Sequence, residues 1–405
     1  MFKHKGSRVI FNKWDQNIFV KEMEKVGVTQ EGIEIMKKKN SLCLKIKDVS
    51  PEAAIIIKQE ALARGCEAAV NKDVLTKRKE HTDLLLWGKE TNLNLLLEKL
   101  SSQPFSLKEI TQDLNKIMKN VKIKSWKLRA GEKEIDFGVF PEEPLIMGVL
   151  NVTPDSFSNG GRYLKKEEAV AHGIKMVEEG AQIIDVGGES SRPFAAPVPP
   201  ETEKRRVLPV IKELSEIVEV PISIDSYHPE VVEEALQAGA TIINDITGLS
   251  SEKMVKLSAE NEVPVVLMHM KGTPRDMQLD PFYKDVIEEI YIFFEERMER
   301  ALKLGVEERQ IIVDPGIGFG KTVEHNLTIL NRLYEFSSLG RPILVGTSRK
   351  SFIGNVLGLD VNDRLEGSLA SVVVARVRGA SIFRVHDVKE TRRALKLADA
   401  ILKAI

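Results

Sequence analysis

The sequence predicts an α/β protein in which a (β/α)8 barrel of the TIM type follows a small N-terminal α/β domain. Short apolar runs of strand length recur after residue 145 and alternate with segments that carry apolar residues at helical spacing. Eight such pairs occupy about 260 residues, close to the ~250 typical of a closed parallel barrel. The first 120 residues do not share this rhythm, so we predict domains at 1–120 and 121–405. An open doubly wound sheet is the alternative.

Composition limits the class of protein. The 405 residues and 42% hydrophobic content suffice for two domains with sizeable cores. With 59 basic and 60 acidic residues the net charge is -1, which gives no general attraction to nucleic acid or to an anionic membrane. Cys43 and Cys66 match no metal or redox spacing and are predicted to be reduced structural thiols. No signal peptide or apolar run of membrane-spanning length is found, so we expect a cytoplasmic protein.

The N-terminal domain is predicted from local signals and no chemistry is assigned to it. Ser50 as a cap and Pro51 at the first helical position predict a helix through 53–63. The other predicted elements are a strand at 84–87, a helix from a capping box at Ser106–Glu109 to Lys119, and a hairpin over 121–137 that turns at 129–132.

The first strand of the barrel is predicted at Leu145–Leu150, whose continuous apolar run is typical of a strand buried on both faces. The later strands are predicted at 183–186, 221–225, 241–245, 263–268, 311–314, 343–346 and 381–385. The helices between and after them are predicted at 166–179, 201–218, 229–238, 281–304, 323–336, 367–377 and 389–402.

Polar residues end the strands or directly follow them: Asn151, Glu189, Asp225, Asn244, His269, Asp314, Lys350 and Arg384. One such residue usually caps the next helix, but in a barrel all eight converge on one mouth. The acids Asp225 and Asp314 with the amide of Asn244 suit a flat heterocycle that presents N–H donors and a carbonyl. Cationic donors suited to phosphate or carboxylate are supplied by Arg192, Lys350, Arg384 and His386.

Three further patterns have plainer interpretations. The glycine-rich run Gly316–Thr322 is not a phosphate loop, because Pro315 stands where the first glycine of that motif is required; close backbone approach to another ligand is expected instead. His269, between methionines, is interpreted as a packed core histidine. No group of His, Asp and Glu has the sequence spacing of a zinc site, so any metal is expected to be a weakly held Mg²⁺ shared with substrate phosphates.

The chain from about Leu145 onward resembles the dihydropteroate synthase family. The resemblance lies in five stretches: Asn151–Phe157, Asp185–Pro193, Asp314–Gly316, Ser348–Ser351 and Arg384–Asp387. It implies a transferase of folate biosynthesis that joins 6-hydroxymethyl-7,8-dihydropterin diphosphate to p-aminobenzoate. It also implies a homodimer and Mg²⁺ as the cofactor.

The resemblance assigns roles to individual residues of this chain. It implies that the pterin is held by Asp225, Asn244, Asp314 and Lys350. It implies that the diphosphate is bound by Asn151, Arg192, Arg384 and His386, with Asn151 reaching the metal. It implies an aminobenzoate site formed by Pro193, Phe319, Lys350 and Ser351. Ser191, where many members have threonine, keeps the hydroxyl and is counted with the substrate-binding residues, and the catalytic group is Lys350, Arg384 and His386.

Two other functions are alternatives for this sequence. A methyltetrahydrofolate methyltransferase would share the pterin pocket but has no use for the diphosphate contacts of Arg384 and His386. An inactive pterin-binding protein would not need Asn151, Lys350 and Arg384 together. A turnover assay separates the synthase from both.

Overall fold

The chain divides into two units in the computed structural model, which describes residues 4–9, 16–36, 42–74, 80–139, 142–153, 162–189 and 197–404. Unit one comprises residues 1–123 together with Tyr334–Gly340, and unit two comprises Lys124–Leu333 and Arg341–Ile405. No sequence signal predicted that a segment so late in the chain belongs to the first unit.

Unit one is an antiparallel sheet with helices on both faces. Its elements are β1 (Arg8–Val9), α1 (Gln16–Val26), α2 (Gln30–Met36), β2 (Leu42–Val49), α3 (Pro51–Ala63), β3 (Glu67–Val70), β4 (Thr82–Gly88), α4 (Glu90–Leu100) and α5 (Leu107–Asn120). The strand order is β1-β2-β4-β3. Side chains alternate along β4: Leu84 and Leu86 pack with α3, α4 and α5, and Leu85 and Trp87 pack with α1 and α2.

Both helix starts predicted here are confirmed, but only one of the two predicted caps is present. The Ser50 side chain accepts a hydrogen bond from the Ala53 amide at 3.2 Å, as expected of an N-cap. Ser106 has a φ of 57° and makes no capping hydrogen bond, so the predicted capping box is absent. Phe105 is left-handed too, with a φ of 63°, so the chain enters this helix without the extended backbone that an N-cap residue usually has.

Buried charges tie Tyr334–Gly340 into unit one. Arg8 donates through Nε to Glu335 at 2.8 Å, and both side chains are almost fully buried. Lys45 donates to Glu22 at 2.9 Å within the same cluster. The Val9 amide also donates to the Ser338 hydroxyl at 2.9 Å. Since buried charges are costly unless paired, Glu335 is an integral part of this unit.

Unit two begins with the predicted hairpin, β5 (Ser125–Ala130) and β6 (Lys133–Gly138), and continues as the predicted barrel. The barrel strands are β7 (Leu145–Asn151), β8 (Ile183–Gly187), β9 (Ile222–Asp225), β10 (Ile242–Asp245), β11 (Val265–Met268), β12 (Ile311–Asp314), β13 (Leu344–Val345) and β14 (Ile382–Val385). All are parallel, in the order β12-β11-β10-β9-β8-β7-β14-β13. A parallel bridge between Val313 and Ile343 joins the two ends, which confirms the closed barrel over the open sheet.

Helices follow the strands: α6 (Arg162–Glu179), α7 (Pro200–Ile217), α8 (Pro229–Gln237), α9 (Glu252–Glu260), α10 (Val286–Lys303), α11 (Val323–Asn331), α12 (Ser351–Leu357), α13 (Leu365–Val377) and α14 (Val388–Lys403). Two of these, α9 and α12, were not predicted. The start predicted for α10 at 281 is wrong because Asp285 caps the helix, accepting from the Ile287 amide at 3.1 Å. The end predicted for α11 at 336 is also wrong, since a 3-10 helix over Leu333–Leu339 replaces its last turns.

The hairpin closes one end of the barrel and leaves the other end open. Leu128, Ala130 and Phe137 of the hairpin share a core cluster with residues at the amino ends of the strands, such as Leu145 and Ile183. The carboxyl ends are therefore the open mouth, where barrel active sites lie. Over the described part of the chain, no helix has the length and apolar character needed to cross a membrane.

Candidate active site at the carboxyl ends of the barrel strands

The strand register brings predicted site residues to one level of the barrel. Asp225 at the end of β9 is the register partner of Asn244 on β10. Gly187 at the end of β8 pairs with Asp225 on one side and with Asn151 on the other. Asp314, the last residue of β12, pairs with Met268. The strand ends therefore form a ring of polar side chains.

A buried network organises one side of this ring. Asp185 Oδ2 accepts from Arg384 Nε at 2.6 Å and from Asn244 Nδ2 at 3.1 Å. Arg384 Nη2 donates to Asp225 Oδ2 at 2.6 Å. The guanidinium of Arg384 thus lies between two carboxylates, and its Nη1 has no hydrogen-bond partner among the described residues. Asp185 holds both Asn244 and Arg384 in place.

Burial and neighbouring charges perturb the ionisation of these groups. Burial raises the pKa of Asp225, and the nearby Asp185 raises it further, although Arg384 opposes both. Burial also raises the pKa of Asp314, whose Oδ1 accepts from the Gly316 amide at 2.7 Å. Burial disfavours the charge of Arg384, but Asp185 and Asp225 outweigh this and raise its pKa. The site combines several acids with an arginine that stays charged.

Lys350 lies beside the glycine-rich loop after β12. Its Nζ donates to the Ile317 carbonyl and lies 4.6 Å from the centre of the Phe319 ring. Burial lowers the pKa of Lys350 to about 8, and Asp314 opposes that shift. The ammonium and the aromatic ring therefore form one wall of the mouth.

The glycines of this loop approach protein backbone. Gly316 and Gly320 have φ values of 67° and 64°. A Cβ on Gly316 would lie 1.9 Å from the His269 carbonyl oxygen, and one on Gly320 would lie 2.2 Å from that of Lys271. These two glycines let this loop pack against the loop after β11, and the expected approach of the loop to a ligand stays a prediction.

His269 is buried, as predicted, and has a buried partner. Its Nδ1 lies 3.0 Å from Lys321 Nζ, and Lys321 also donates to the Phe319 carbonyl at 2.9 Å. Burial lowers the pKa of both His269 and Lys321 well below their ordinary values. The pair therefore fixes the backbone of Phe319, whose ring lies at the mouth.

The last two strands place His386 and Ser351 at the rim. The His386 amide donates to Ser348 Oγ at 3.2 Å, and the ring Nδ1 lies 3.1 Å from the same oxygen. Ser351 begins α12 and is exposed. Arg349 pairs with Asp387 at 2.5 Å. This pairing links the loop after β13 to the loop after β14.

Asn151 ends β7 and is partly exposed, and its side chain makes no hydrogen bond to the described residues. The three remaining predicted residues, Ser191, Arg192 and Pro193, lie outside the described residues. Their assignments stay predictions.

Sequence reasoning gave no role to Asp185 and missed a group formed by Glu189, Glu203 and His228. An acid inside an apolar strand is a signal, because a buried carboxylate needs a partner. The second group has no sequence signal, since its members follow β8, lie on α7 and precede α8. Their possible ligand atoms lie within 4.8 Å of one another.

Known proteins resemble this chain mainly over unit two. The family described as "Pterin binding enzyme" matches residues 147–386. The dihydropteroate synthase of Escherichia coli (strain K12) is 48% identical over 261 residues, which is 64% of this chain and 93% of that enzyme. A solved structure of the Xanthomonas albilineans dihydropteroate synthase with 4-aminobenzoic acid is 42% identical, with a TM-score of 0.65, and covers 70% of this chain and 100% of that one.

One relative also resembles the first unit. A protein of Halobacterium salinarum (strain ATCC 700922 / JCM 11081 / NRC-1), named as a probable bifunctional folylpolyglutamate synthase/dihydropteroate synthase, is 38% identical over 383 residues. That alignment covers 93% of this chain and 45% of that protein. Since the family match alone spans more than half of the chain, and the E. coli enzyme is aligned over nearly its full length, this chain belongs to the family of pterin-binding enzymes that includes the dihydropteroate synthases.

Proposed function

We propose that this chain is a transferase that condenses 6-hydroxymethyl-7,8-dihydropterin diphosphate with p-aminobenzoate to give 7,8-dihydropteroate and diphosphate. The observation that carries the proposal is the grouping of Asp225, Asn244 and Asp314 with Lys350 and Arg384 at one barrel mouth. Acids and an amide suit the donor-rich edge of a pterin, and the cations suit its diphosphate.

The pterin is bound by Asp225, Asn244, Asp314 and Lys350. Asn244 is oriented by its hydrogen bond to Asp185, so its amide is fixed before the ligand arrives. Burial raises the pKa of Asp314, and hydrogen bonds donated by a heterocycle would stabilise its charged carboxylate. This support is strongest for Asn244, because Asp185 already fixes the orientation of its amide.

Arg384 and His386, with Arg192, bind the diphosphate. As the bond from the pterin methylene to the diphosphate oxygen breaks, negative charge grows on the leaving group, and preorganised cations stabilise it. The nitrogen of p-aminobenzoate then bonds to the methylene carbon and gives up a proton. Nη1 of Arg384 is the donor best placed for this, because Nε and Nη2 are held by Asp185 and Asp225.

The p-aminobenzoate lies against Phe319 and Lys350, with Ser351 at the rim and with Ser191 and Pro193 from the loop after β8. The Lys350 ammonium suits the benzoate carboxylate, and the Phe319 ring suits its aromatic face. The Lys321–His269 pair supports this wall from behind.

Mg²⁺ is the proposed cofactor, held by Asn151 together with the diphosphate. The Asn151 side chain fits this role, because its oxygen is a hard donor and no described residue hydrogen-bonds to it. When bound, the ion neutralises charge on the leaving diphosphate. The protein's own contribution is to hold the oxygen donor at the end of a buried strand.

A homodimer in the cytoplasm, with no nucleic acid or membrane partner, is the proposed setting. Val374 and Val377 on α13 and Leu397 and Ile401 on α14 are exposed, and the two helices pack side by side. An apolar face of this kind fits a second copy of the chain. The buried, unpaired thiols of Cys43 and Cys66 fit a reducing compartment. Sedimentation equilibrium tests the dimer, with Leu397→Glu as the variant expected to be monomeric.

Turnover tests the proposed reaction. The full chain is incubated with the pterin diphosphate, p-aminobenzoate and Mg²⁺, and both diphosphate release and dihydropteroate formation are followed. Equal amounts of both products support the proposal. Pterin binding without turnover would identify an inactive pterin-binding protein, and methyl transfer from methyltetrahydrofolate would identify a methyltransferase.

A further inference from the structure

Three side chains outside the proposed substrate contacts converge beside the barrel mouth. Glu189 follows β8, Glu203 lies on α7, and His228 precedes α8. His228 Nε2 lies 3.7 Å from Glu189 Oε2 and 4.0 Å from Glu203 Oε2. These distances are too long for hydrogen bonds, which end near 3.2 Å for a nitrogen donor.

The atoms that face one another in this cluster lack other partners. Glu203 is only 1% exposed, yet neither of its carboxylate oxygens has a hydrogen-bond partner of ordinary geometry among the described residues. The same holds for Glu189 Oε2 and His228 Nε2. A buried carboxylate without a partner is costly, and a cation bound between these atoms would satisfy them.

Nearby groups satisfy only part of the cluster. Arg206, also on α7, donates to the Gly188 carbonyl at 2.7 Å. Tyr227 donates to the other oxygen of Glu189, Oε1, at 3.0 Å. The Ser226 hydroxyl accepts from the His228 amide at 3.2 Å. Its own O–H lies close enough to Glu203 to favour the charged carboxylate, although it does not meet ordinary hydrogen-bond geometry. Tyr227 thereby orients Glu189 with its second oxygen, Oε2, towards His228 and Glu203.

We propose that Glu189, Glu203 and His228 form a binding site for a divalent transition-metal ion of the Zn²⁺ class. One imidazole nitrogen and two carboxylate oxygens are donors that Zn²⁺ accepts, whereas Mg²⁺ and Ca²⁺ favour oxygen alone. At bond lengths of about 2.0–2.2 Å, tetrahedral ligand atoms lie roughly 3.3–3.6 Å apart, so a small inward movement closes this site around an ion. Three protein ligands leave a fourth position for water.

This site shares no residue with the Mg²⁺ proposed at Asn151, and it does not depend on the proposed reaction. Its test is a titration of the full chain, after treatment with a chelator, with Zn²⁺ alone and no diphosphate, by calorimetry. Co²⁺ then serves as a spectroscopic probe, since its visible absorption reports nitrogen and oxygen ligands. We expect one Zn²⁺ per chain and at least a tenfold weaker affinity in Glu203→Gln and in His228→Gln.

Matched controls separate this site from adventitious binding. Glu201→Gln changes an exposed carboxylate on the same helix, and Asn151→Ala removes the proposed Mg²⁺ ligand; both should bind Zn²⁺ as the parent chain does. Glu189→Gln, at a third ligand position, is the substitute if the Glu203 or the His228 variant fails to fold by circular dichroism. Absence of stoichiometric Zn²⁺ binding would overturn the proposal, as would unchanged affinity in the folded ligand variants. In that case His228 is an ion-pair partner of the two acids.

Discussion

At the scale of single residues, the barrel mouth is organised by a carboxylate that is not itself assigned to a substrate. Asp185 is fully buried and binds Arg384 and Asn244, which come from different strands. Two of the proposed substrate contacts therefore depend on one residue behind them. Preorganisation of this kind is what makes a charged group effective in a transition state.

Replacing Arg384 tests its proposed role with the leaving group. Arg384→Ala should lower kcat by roughly 10²-fold to 10³-fold, the usual scale for the loss of one preorganised charge-stabilising group, or about 3–4 kcal/mol of barrier. The same change leaves Asp185 and Asp225 without their counterion and should also destabilise the fold. Steady-state kinetics must therefore be corrected for the folded fraction, and Arg384→Lys is the charge-retaining control. A near-normal kcat per folded molecule would leave Arg384 with a structural role only.

The lowered pKa of Lys350 predicts that activity depends on pH. Burial lowers its pKa to about 8, so its charge is present near pH 7 and is lost as pH rises through 8. If the ammonium contacts substrate, kcat/KM should fall across that range, while Lys350→Arg, which stays charged, should lack this basic limb. The pH profiles of the two proteins decide the matter. If kcat/KM of the arginine variant falls across the same pH range, a group other than Lys350 causes the fall.

At the scale of elements, the loop after β12 depends on glycines that have no room for a side chain. Gly316 and Gly320 bring this loop against the backbone of the loop after β11, and Lys321 binds the carbonyls of both segments. The position of Phe319 thus follows from backbone packing.

A pair of glycine variants tests this packing. Gly316→Ala puts a Cβ at 1.9 Å from the His269 oxygen, whereas Gly358→Ala, at the end of α12, meets nothing within 4 Å. Both positions have positive φ, 67° and 69°, so both carry the roughly 1–2 kcal/mol of left-handed strain. Gly316→Ala should lose clearly more stability and also raise the KM for p-aminobenzoate. Equal unfolding midpoints for the two variants would contradict the argument.

Sequence periodicity predicted most of the barrel, and its failures have physical causes. All eight strands were located because their residues are buried on both faces and form continuous apolar runs. Asp225, Asn244 and Asp314 were located because strand ends converge in a barrel. The end of α11 was misplaced because the apolar residues up to Phe336 continue a helical pattern while belonging to another unit. The Glu189, Glu203 and His228 group was invisible, since only the closed barrel brings its members together.

At the scale of the whole molecule, the chain interleaves its two units. All the proposed site residues lie in unit two, but Tyr334–Gly340, between α11 and β13, is part of unit one. Tyr334 packs against the core of unit one, and Glu335 binds Arg8 in its interior. Removing unit one would therefore uncover a segment of the remaining chain.

The Arg8–Glu335 pair can be tested within the full chain. Arg8→Met takes the guanidinium away from the buried Glu335 carboxylate and should cost about 3–5 kcal/mol of unfolding free energy. Arg8→Met combined with Glu335→Leu removes both charges and should recover much of that loss. Urea denaturation measures both proteins. A single variant as stable as the parent would mean that the pair contributes little.

A chain that begins at Lys124 gives the final prediction. From the sequence alone, a start near Val121 should preserve folding and activity, because every site residue follows it. The structure changes the expectation for stability: Tyr334, Glu335 and Ser338 lose the residues they contact, including the Val9 amide that donates to Ser338. We expect a lower unfolding midpoint than that of the full chain, with turnover per folded molecule largely kept. Tyr334→Ser should improve the solubility of the short chain more than that of the full one, because only the short chain lacks the core against which this ring packs. An unchanged midpoint would show that the segment folds without unit one, and loss of all turnover in the folded short chain would show that unit one is required by the active site.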